Sequence, residues 1–305
     1  MKAKRAVAKE VYTLGDLKSW DNETVRLGVL GDPVEHSLSP QMQNAALRAG
    51  KIDMAYARFQ ISPNELADAL KAVRDLKFVG VNLTIPHKIA ALRLIDTADE
   101  SARRIGAINT VKVENGKLRG FNTDGRGFSR AVREDFSVDL RDMRVLVLGA
   151  GGAGRAIGMQ CARETCERLV IMNRSFEKAQ KLVDELRDFF TGPKVFGPVP
   201  RLQAIQWDEA AIRFQIANVD LIVNATPLGL NRADASPIPA RLLAPHLLIY
   251  DTIYSEKRTP FVAAGIEAGA RAANGLSMLL HQGALAFEIW FDREAPLDAM
   301  RKALL

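Results

Sequence analysis

The stretch that decides the fold is Val145-Leu146-Val147-Leu148-Gly149-Ala150-Gly151-Gly152-Ala153-Gly154-Arg155-Ala156. Four apolar residues, typical of a buried strand, run into a glycine-rich turn and then into a segment that favours a helix. Glycines at such a turn let backbone amides approach a pyrophosphate, and the following helix N-terminus attracts negative charge. A merely tight strand–helix turn needs one or two glycines, whereas this turn has four in six positions. The stretch therefore predicts a Rossmann-type loop that binds a dinucleotide at Gly149, Ala150, Gly151, Gly152 and Ala153.

The tip of the next predicted strand indicates which dinucleotide is bound. In NAD-binding folds an acidic residue about 20 positions after the loop holds the ribose 2′-hydroxyl. This chain has Asn173-Arg174-Ser175 there, with an arginine instead of a carboxylate. A guanidinium binds a 2′-phosphate through charge-assisted, often bidentate hydrogen bonds. The sequence predicts NADP, held partly by Asn173, Arg174 and Ser175; the alternative is that Arg174 pairs with Glu177.

Strand and helix patterns alternate on both sides of this loop. Proline residues favour helix starts at two places, with Ser39 as the N-cap of a helix to Ala49 and a second helix beginning at Pro86. Such alternation predicts an α/β fold with mostly parallel sheets. The predicted strands are 27–30, 56–60, 79–85, 144–148, 168–172, 220–224 and 247–251.

One hairpin interrupts the alternation. Residues 110–114 and 117–121 flank Asn115-Gly116, a pair favoured in two-residue type I′ turns. Counting back from the turn pairs Glu114 with Lys117. The same register brings Asn109 and the Asn122-Thr123-Asp124 segment to one end of the hairpin.

Length and composition limit the function classes. A chain of 305 residues favours two domains, and 48% hydrophobic with 26% charged residues is typical of globular proteins. The net charge of +6 comes from interspersed basic and acidic residues, which favours anionic small molecules over nucleic acid. We expect a cytoplasmic chain without a membrane segment, a secretory signal or a metal, since the apolar runs are strand-length and the two cysteines and four histidines show no ligand spacing. The oligomeric state stays open between a monomer and a homodimer.

Polar residues concentrate at the ends of the predicted elements in the first half. Ser37 and Ser39 follow the first strand, although a Ser-Pro pair is also an ordinary helix cap. Lys88 falls in the first turn of the helix predicted at Pro86. A positive charge there opposes the helix dipole, so Lys88 is a candidate for proton transfer; the alternative is a solvated surface lysine.

The chain resembles the shikimate dehydrogenase family over roughly residues 27–290. The resemblance is carried by the glycine loop, the Asn173-Arg174-Ser175 tip and the polar residues Ser37, Ser39, Lys88, Asn109 and Asn122-Thr123-Asp124. It continues through Asn224-Ala225-Thr226-Pro227-Leu228-Gly229, Tyr250-Asp251-Thr252-Ile253-Tyr254 and Met278-Leu279-Leu280-His281-Gln282-Gly283. The resemblance implies NADP-linked reduction of 3-dehydroshikimate to shikimate in aromatic amino-acid biosynthesis. It also implies an α/β substrate-binding domain and a Rossmann NADP-binding domain with a cleft between them. The corresponding ranges are the substrate domain at 25–124, the NADP domain at 125–274, and C-terminal helices at 275–305 that return to the substrate domain. Residues 1–24, which have no counterpart in the core family, are predicted to be a polar N-terminal extension with at most one short helix.

The resemblance also assigns roles to single residues. Lys88 is the expected acid–base group and Asp124 its orienting partner, and which of the two carries the proton stays open because a close pair titrates as a unit. The residues expected at the substrate are Ser37, Ser39, Asn82, Thr84, Lys88, Asn109, Asp124, Tyr254 and Gln282. Those expected at the cofactor, besides the glycine loop and the 173–175 tip, are Asn224, Thr226, Pro227, Gly275 and Met278. The chain departs from the common family pattern at Gln43, Glu256 and Asn274.

Two other functions remain as alternatives. One is a quinate/shikimate dehydrogenase that uses NAD or NADP, against which the Asn173-Arg174-Ser175 tip argues. The other is a non-catalytic NADP-sensing binding protein, against which the presence of both Lys88 and Asp124 argues.

Overall fold

The chain divides into two compact units in a computed structural model, which describes residues 9–191, 199–231, 233–254 and 258–305. The first unit comprises the chain up to Thr123 together with Gly283–Leu305, and the second is Asp124–Gln282. The second unit thus begins one residue before the predicted 125 and ends inside the last long helix, not ahead of it at 274. Hydrogen bonds described below hold the first turns of that helix to the second unit.

A seven-stranded sheet forms the centre of the first unit. Its strands lie in the order β1-β3-β2-β4-β6-β7-β5. Strand β6 is antiparallel to its neighbours β4 and β7, and the other pairings are parallel. The strands are β1 (Tyr12–Thr13), β2 (Val25–Gly31), β3 (Ala55–Gln60), β4 (Gly80–Leu83), β5 (Thr97–Ala98), β6 (Thr110–Glu114) and β7 (Lys117–Phe121).

Helices cover this sheet and enclose its core. Buried side chains from the strands, such as Leu30, Phe59 and Val81, pack with Leu70 and Val73 from one of the helices. The helices are α1 (Leu14–Lys18), α2 (Ser39–Ala49), α3 (Leu66–Asp75) and α4 (Glu100–Ile105).

The N-terminal segment is part of the first unit over its described residues. Strand β1 pairs with β3, and α1 is capped by reciprocal hydrogen bonds between Thr13 and Asp16. The Tyr12 and Trp20 rings pack on Phe59 with centroid distances of 5.7 and 5.6 Å. Within the segment predicted as an N-terminal extension, an aromatic cluster thus holds the described residues to the core of the first unit.

The predicted hairpin is confirmed in type and register. Asn115 and Gly116 have φ of 53° and 70°, as a type I′ turn requires. Glu114 faces Lys117, and Thr110 faces Phe121. The Asn109 amide donates to the Phe121 carbonyl at 3.0 Å, so Asn109 and the residues after β7 lie at the same end.

The second unit contains a six-stranded, fully parallel sheet in the order β10-β9-β8-β11-β12-β13. This is the doubly wound order of dinucleotide-binding folds, in which ligands bind beyond the carboxyl ends of the strands where the order reverses. The α/β fold class with mostly parallel sheets is confirmed. The strands are β8 (Arg144–Leu148), β9 (Arg168–Met172), β10 (Leu202–Ile205), β11 (Leu221–Asn224), β12 (Leu248–Asp251) and β13 (Arg271–Ala273).

The two edge strands β10 and β13 are absent from the predicted set. Each has only three or four residues, and most of these are partly exposed, so the apolar signal is weak. The remaining helices are α5 (Asp124–Phe136), α6 (Gly152–Arg163), α7 (Phe176–Leu186), α8 (Glu209–Ile216), α9 (Pro260–Glu267), α10 (Leu276–Phe291) and α11 (Leu297–Lys302). Among the residues described, none of these helices is both long and apolar enough to span a bilayer.

Candidate active site

Hydrogen bonds of buried side-chain amides hold several polar residues together at the carboxyl edge of the first unit's sheet. Asn82, in β4, accepts a hydrogen bond from the Tyr56 hydroxyl at 2.8 Å. Its Nδ2 donates to the Asn109 carbonyl at 3.1 Å and to Thr110 Oγ1 at 3.0 Å. Asn109 Nδ2 in turn donates to Thr123 Oγ1 at 2.8 Å. Both donor hydrogens of Asn82 are therefore used inside the unit, and this amide fixes the shape of the edge.

The two predicted serines lie at the N-terminus of α2. The backbone of Leu38 already has helical dihedral angles and is the N-cap, so the prediction of Ser39 as N-cap is wrong. Ser37 Oγ instead accepts from the Ser39 amide at 3.3 Å, and the Arg58 guanidinium donates to the Ser37 carbonyl at 3.0 and 2.7 Å. Arg58 was not among the predicted site residues. Two hydroxyls, a helix N-terminus and an arginine suit a carboxylate.

Lys88 lies in a turn and not in an α-helix. Residues 85–89 form turns, and a 3-10 helix follows at Ala90–Arg93. The Ile108 amide donates to the Lys88 carbonyl at 2.8 Å, and the His87 ring bonds to the Ile61 carbonyl at 2.8 Å. One helical hydrogen bond is present, from the Ala91 amide to the His87 carbonyl at 2.9 Å, but the Lys88 carbonyl accepts from the distant Ile108 amide, so the helix predicted at Pro86 is wrong. The dipole argument for Lys88 fails with it, and Lys88 must be assigned on chemistry alone.

His87 is a positioning residue that the sequence analysis did not single out. Its side chain is buried, and this burial lowers the pKa of the ring, opposed by its hydrogen bond to Ile61 and by the charge of Asp32. The neutral ring donates to the Ile61 carbonyl through Nε2. His87 thereby fastens the turn that carries Lys88 to the end of β3.

Thr84 closes the edge between β2 and β4. Its amide donates to the Leu30 carbonyl at 3.0 Å. A Cβ at Gly31 would lie 2.3 Å from Thr84 Cγ2, so only glycine allows this approach. Ser37, Ser39, Asn82, Thr84, Lys88 and Asn109 all belong to the first unit.

The glycine loop of the second unit has the geometry that a pyrophosphate needs. Gly149 has φ of 108°, and Gly151 is the N-cap of α6. A Cβ at Gly154 would lie 2.0 Å from the Gly149 carbonyl oxygen, which leaves room for hydrogen only. A Cβ at Gly151, by contrast, would meet nothing within 4 Å among the described atoms. Gly154 therefore packs the helix onto the strand, and Gly151 faces open space.

The tip of β9 is tied to this loop. Asn173 Oδ1 accepts from the Ala150 amide at 3.1 Å, and its Nδ2 donates to the Ser175 carbonyl at 2.9 Å. The Arg174 side chain is exposed. Glu177 accepts a hydrogen bond from Ser175 Oγ at 2.9 Å, and within the described ranges no ion pair joins Glu177 to Arg174. The Arg174 guanidinium is thus available for an anionic ligand.

The segment after β11 lies directly against the glycine loop. The Ala225 carbonyl oxygen and Thr226 Cγ2 would lie 2.8 and 3.1 Å from a Cβ at Gly149. Asn224 itself is fully buried, and its amide bonds to Thr226, Leu228 and Asp251. Asn224 therefore shapes this segment from beneath, while Thr226 and Pro227 are at least partly exposed.

Two helices carry other predicted residues of the second unit. Asp124 is the first residue of α5 and is 3% exposed. Met278 and Gln282 lie on α10, where Gln282 Nε2 donates to the Leu279 carbonyl at 2.9 Å. Hydrogen bonds from Ser277 to Asp135 and from His281 Nε2 to Glu134, the latter at 2.8 Å, fasten α10 to α5.

Gly275 and Tyr254 lie in the loops before α10. A Cβ at Gly275 would be 2.2 Å from the Thr252 carbonyl oxygen, so this glycine permits a close backbone approach. Tyr254 is partly buried. Among the described residues no group of three or more His, Cys, Asp or Glu side chains is arranged to hold a metal ion.

Three family models match the chain. "Shikimate dehydrogenase substrate binding domain" matches residues 29–111, and "Shikimate / quinate 5-dehydrogenase" matches 130–194. "Shikimate 5'-dehydrogenase C-terminal domain" matches 275–305.

Known proteins match over nearly the whole length. The shikimate dehydrogenase (NADP(+)) of Methanopyrus kandleri is 41% identical over 289 residues, which are 94% of this chain and 97% of that protein. A solved shikimate dehydrogenase in complex with NADP+ is 34% identical, with a TM-score of 0.82 over 93% of this chain and 96% of that one. The Thermus thermophilus shikimate 5-dehydrogenase in complex with NADP(H) and shikimate is 37% identical, with a TM-score of 0.79 over 92% and 98%. Motifs, strand order and full-length similarity agree, and the chain belongs to the shikimate dehydrogenase family.

Proposed function

We propose that this chain catalyses the reversible, NADP-dependent reduction of 3-dehydroshikimate to shikimate. The observation that carries the proposal is the glycine loop, where Gly154 admits no side chain and Gly151 faces open space at a helix N-terminus. The full-length similarity to proteins named as NADP-dependent shikimate dehydrogenases supports the same reaction.

The second unit has the residues that fit NADP. Backbone amides of Gly151, Gly152 and Ala153 open α6 and suit the pyrophosphate. The exposed Arg174 suits the 2′-phosphate, with Asn173 holding its strand tip against the loop. A dinucleotide held by these residues would supply the hydride chemistry of the reaction. We assign the cofactor role to this unit and the substrate role to the first.

The first unit has the residues that fit a hydroxylated carboxylate. Ser37 and Ser39 at the start of α2 suit the carboxylate, as hydroxyls beside a helix N-terminus do. Thr84 and Asn109 border the same sheet edge and are proposed to contact ring hydroxyls, which need both donors and acceptors. Asn82, whose donor hydrogens are both used inside the unit, offers only its Oδ1 as an acceptor. The resemblance adds Tyr254 and Gln282 to the residues that we propose for the substrate.

Lys88 is the proposed acid–base group of the reaction. Reduction of the carbonyl carbon leaves a negative charge on oxygen, and an ammonium group neutralises it by donating a proton; the reverse reaction returns the proton to the amine. Asp124 is the second residue that we propose for the catalytic step.

A turnover assay with four substrate–cofactor combinations tests this function. Purified protein is mixed with shikimate or quinate and with NADP or NAD, and the absorbance of the reduced cofactor is followed. We expect the highest kcat/KM with shikimate and NADP. A higher value with quinate or with NAD would favour the quinate/shikimate alternative. NADP binding without turnover of either acid would favour the non-catalytic binding protein.

A further inference from the structure

Asp251, the last residue of β12, is a buried carboxylate that the proposed reaction does not use. It lies in register with Asn224 of β11, and both side chains are fully buried. Burial raises the pKa of Asp251 to about 6, against three hydrogen bonds that lower it. Burial of a carboxylate costs free energy of folding unless its oxygens accept enough hydrogen bonds. A carboxylate buried at this position therefore indicates a specific structural role.

Both carboxylate oxygens of Asp251 are engaged. Oδ1 accepts from Asn224 Nδ2 at 2.9 Å and from the Ile253 amide at 3.1 Å. Oδ2 accepts from the Thr259 hydroxyl at 2.6 Å, and Thr259 is the N-cap of α9. One carboxylate therefore joins three backbone segments that meet at the carboxyl ends of β11 and β12.

The bond to Asn224 fixes the orientation of that amide. A carboxylate accepts hydrogen bonds only, so it attracts the Nδ2 end and repels the Oδ1 end. Asn224 Oδ1 is thereby turned to Thr226, whose amide and hydroxyl donate to it at 3.1 and 2.7 Å. The Thr226 hydroxyl oxygen also accepts from the Leu228 amide at 3.1 Å.

The segment held in this way lies on the proposed cofactor site. The Ala225 amide donates to the Leu148 carbonyl at 2.8 Å, at the start of the glycine loop. A Cβ at Gly149 would meet Ala225 and Thr226 first. The chain of contacts from Asp251 through Asn224 to Thr226 thus ends where the dinucleotide fold binds its ligand, between β8 and β11.

We propose that Asp251 is a positioning residue for NADP, which acts through Asn224 to hold residues 225–228 in the conformation that accepts the cofactor. The proposal rests on the proposed function for the placement of NADP on this segment. Asp251 touches neither substrate nor cofactor in this role.

The test is Asp251→Ala, compared with Thr259→Val. Alanine removes both acceptor oxygens, so the Asn224 amide loses the contact that orients it. Asparagine would not serve, because its Nδ2 can donate to the Thr259 hydroxyl while its Oδ1 keeps the contacts to Asn224 and Ile253. Thr259→Val removes the contact to the other oxygen, Oδ2, and weakens the α9 cap, but it leaves the Asn224 amide held. It is the control for a purely structural effect.

NADPH affinity is measured directly by the change in its fluorescence on binding, and KM is measured for both substrates. Loss of the buried hydrogen bond that holds Asn224 predicts roughly 10-fold weaker NADPH binding by Asp251→Ala. KM for NADP should rise by a similar factor, with KM for shikimate unchanged and Thr259→Val close to wild type. Unchanged NADPH affinity in Asp251→Ala, or an equal loss in Thr259→Val, would overturn the proposal.

A second variant keeps the proposal open to refutation if Asp251→Ala does not fold. Thr226→Val is nearly isosteric and lies at the partly exposed end of the same chain of hydrogen bonds. It should weaken NADPH binding several-fold, and wild-type affinity would overturn the proposal. Because binding is read without turnover, a failure to oxidise shikimate would count against the proposed function and leave this result standing.

Discussion

The glycine loop after β8 and the Lys88 turn after β4 both follow a buried strand, but different contacts hold them. In the loop, the geometry is local: Gly149 takes a left-handed φ, and Gly154 lies against the Gly149 carbonyl. In the turn, the geometry is set from a distance, because the Lys88 carbonyl and the His87 ring bond to Ile108 and Ile61. A local motif tolerates little change within itself, whereas a turn held from outside depends on its distant partners.

This contrast separates two kinds of damage. Changes in the glycine loop should act on cofactor binding, and changes in the Lys88 turn should act on the chemical step or on local stability. Each variant below is chosen to affect one region and leave the other intact.

Lys88→Ala should have the largest effect. Removal of a general acid–base group costs on the order of 10²- to 10⁴-fold in rate, so kcat for shikimate oxidation should fall by that factor. NADPH affinity, read by fluorescence, should stay at the wild-type value because the glycine loop belongs to the other unit.

Lys71→Ala is the matched control, since Lys71 is an exposed lysine on α3 of the same unit. Its kcat should equal that of wild type. A wild-type kcat in Lys88→Ala would show that Lys88 is not the acid–base group of the reaction.

Gly154→Ala and Gly151→Ala test two roles of the glycine loop separately, the packing of α6 onto β8 and the binding of the cofactor. A methyl group at Gly154 must displace the Gly149 carbonyl, so we expect lower stability, by about 1–3 kcal/mol, and roughly 100-fold weaker NADPH binding. Gly151 has open space around it, so Gly151→Ala should melt like wild type and still bind NADPH about 10-fold more weakly.

Thermal unfolding and NADPH titration of both variants check this division. Wild-type NADPH affinity in Gly151→Ala would show that the cofactor does not approach the loop at that residue.

The same contrast explains how far the sequence predicts the structure. The glycine loop, the Asn115-Gly116 hairpin and the central strands follow from local preferences, and they are confirmed. The helix predicted at Pro86 is wrong because Ile61 and Ile108, distant in sequence, supply the partners that fix the turn. Tyr12 and Trp20 gave no periodic signal, yet an aromatic cluster places them in the core.

The candidate site shows the same limit. The residue types at Ser37, Asn82 and Asn109 are readable from sequence, but their hydrogen-bond partners are not. Asn224 illustrates the difference: its motif suggests a cofactor contact, whereas complete burial makes it a support for Thr226. The role proposed for Asp251 can be inferred only from its strand register with Asn224, which the sequence alone does not show.

Arg174→Ala tests the cofactor preference and should have a smaller effect than the glycine changes at Gly154. Loss of a charge-assisted contact to the 2′-phosphate should raise the Kd of NADPH about 10- to 30-fold and leave that of NADH nearly unchanged. Arg187→Ala, an exposed arginine beyond α7 that bonds to Asp184, should change neither value. Equal losses for both cofactors in Arg174→Ala would contradict the 2′-phosphate assignment.

His87→Gln addresses the outside support of the Lys88 turn and should have the smallest effect. Because burial lowers the pKa of His87 in the folded state below its unfolded value of about 6.5, the fold favours the neutral ring. The neutral ring therefore contributes its full stability above about pH 6.5, and this contribution is lost as the pH falls through the lowered folded pKa. Urea unfolding at about pH 7.5 and 5.5 should show that wild type loses more stability on acidification than His87→Gln, which cannot titrate. An identical pH dependence in the two proteins would mean that the His87 ring titrates alike folded and unfolded, and that it does not hold the turn in its neutral form.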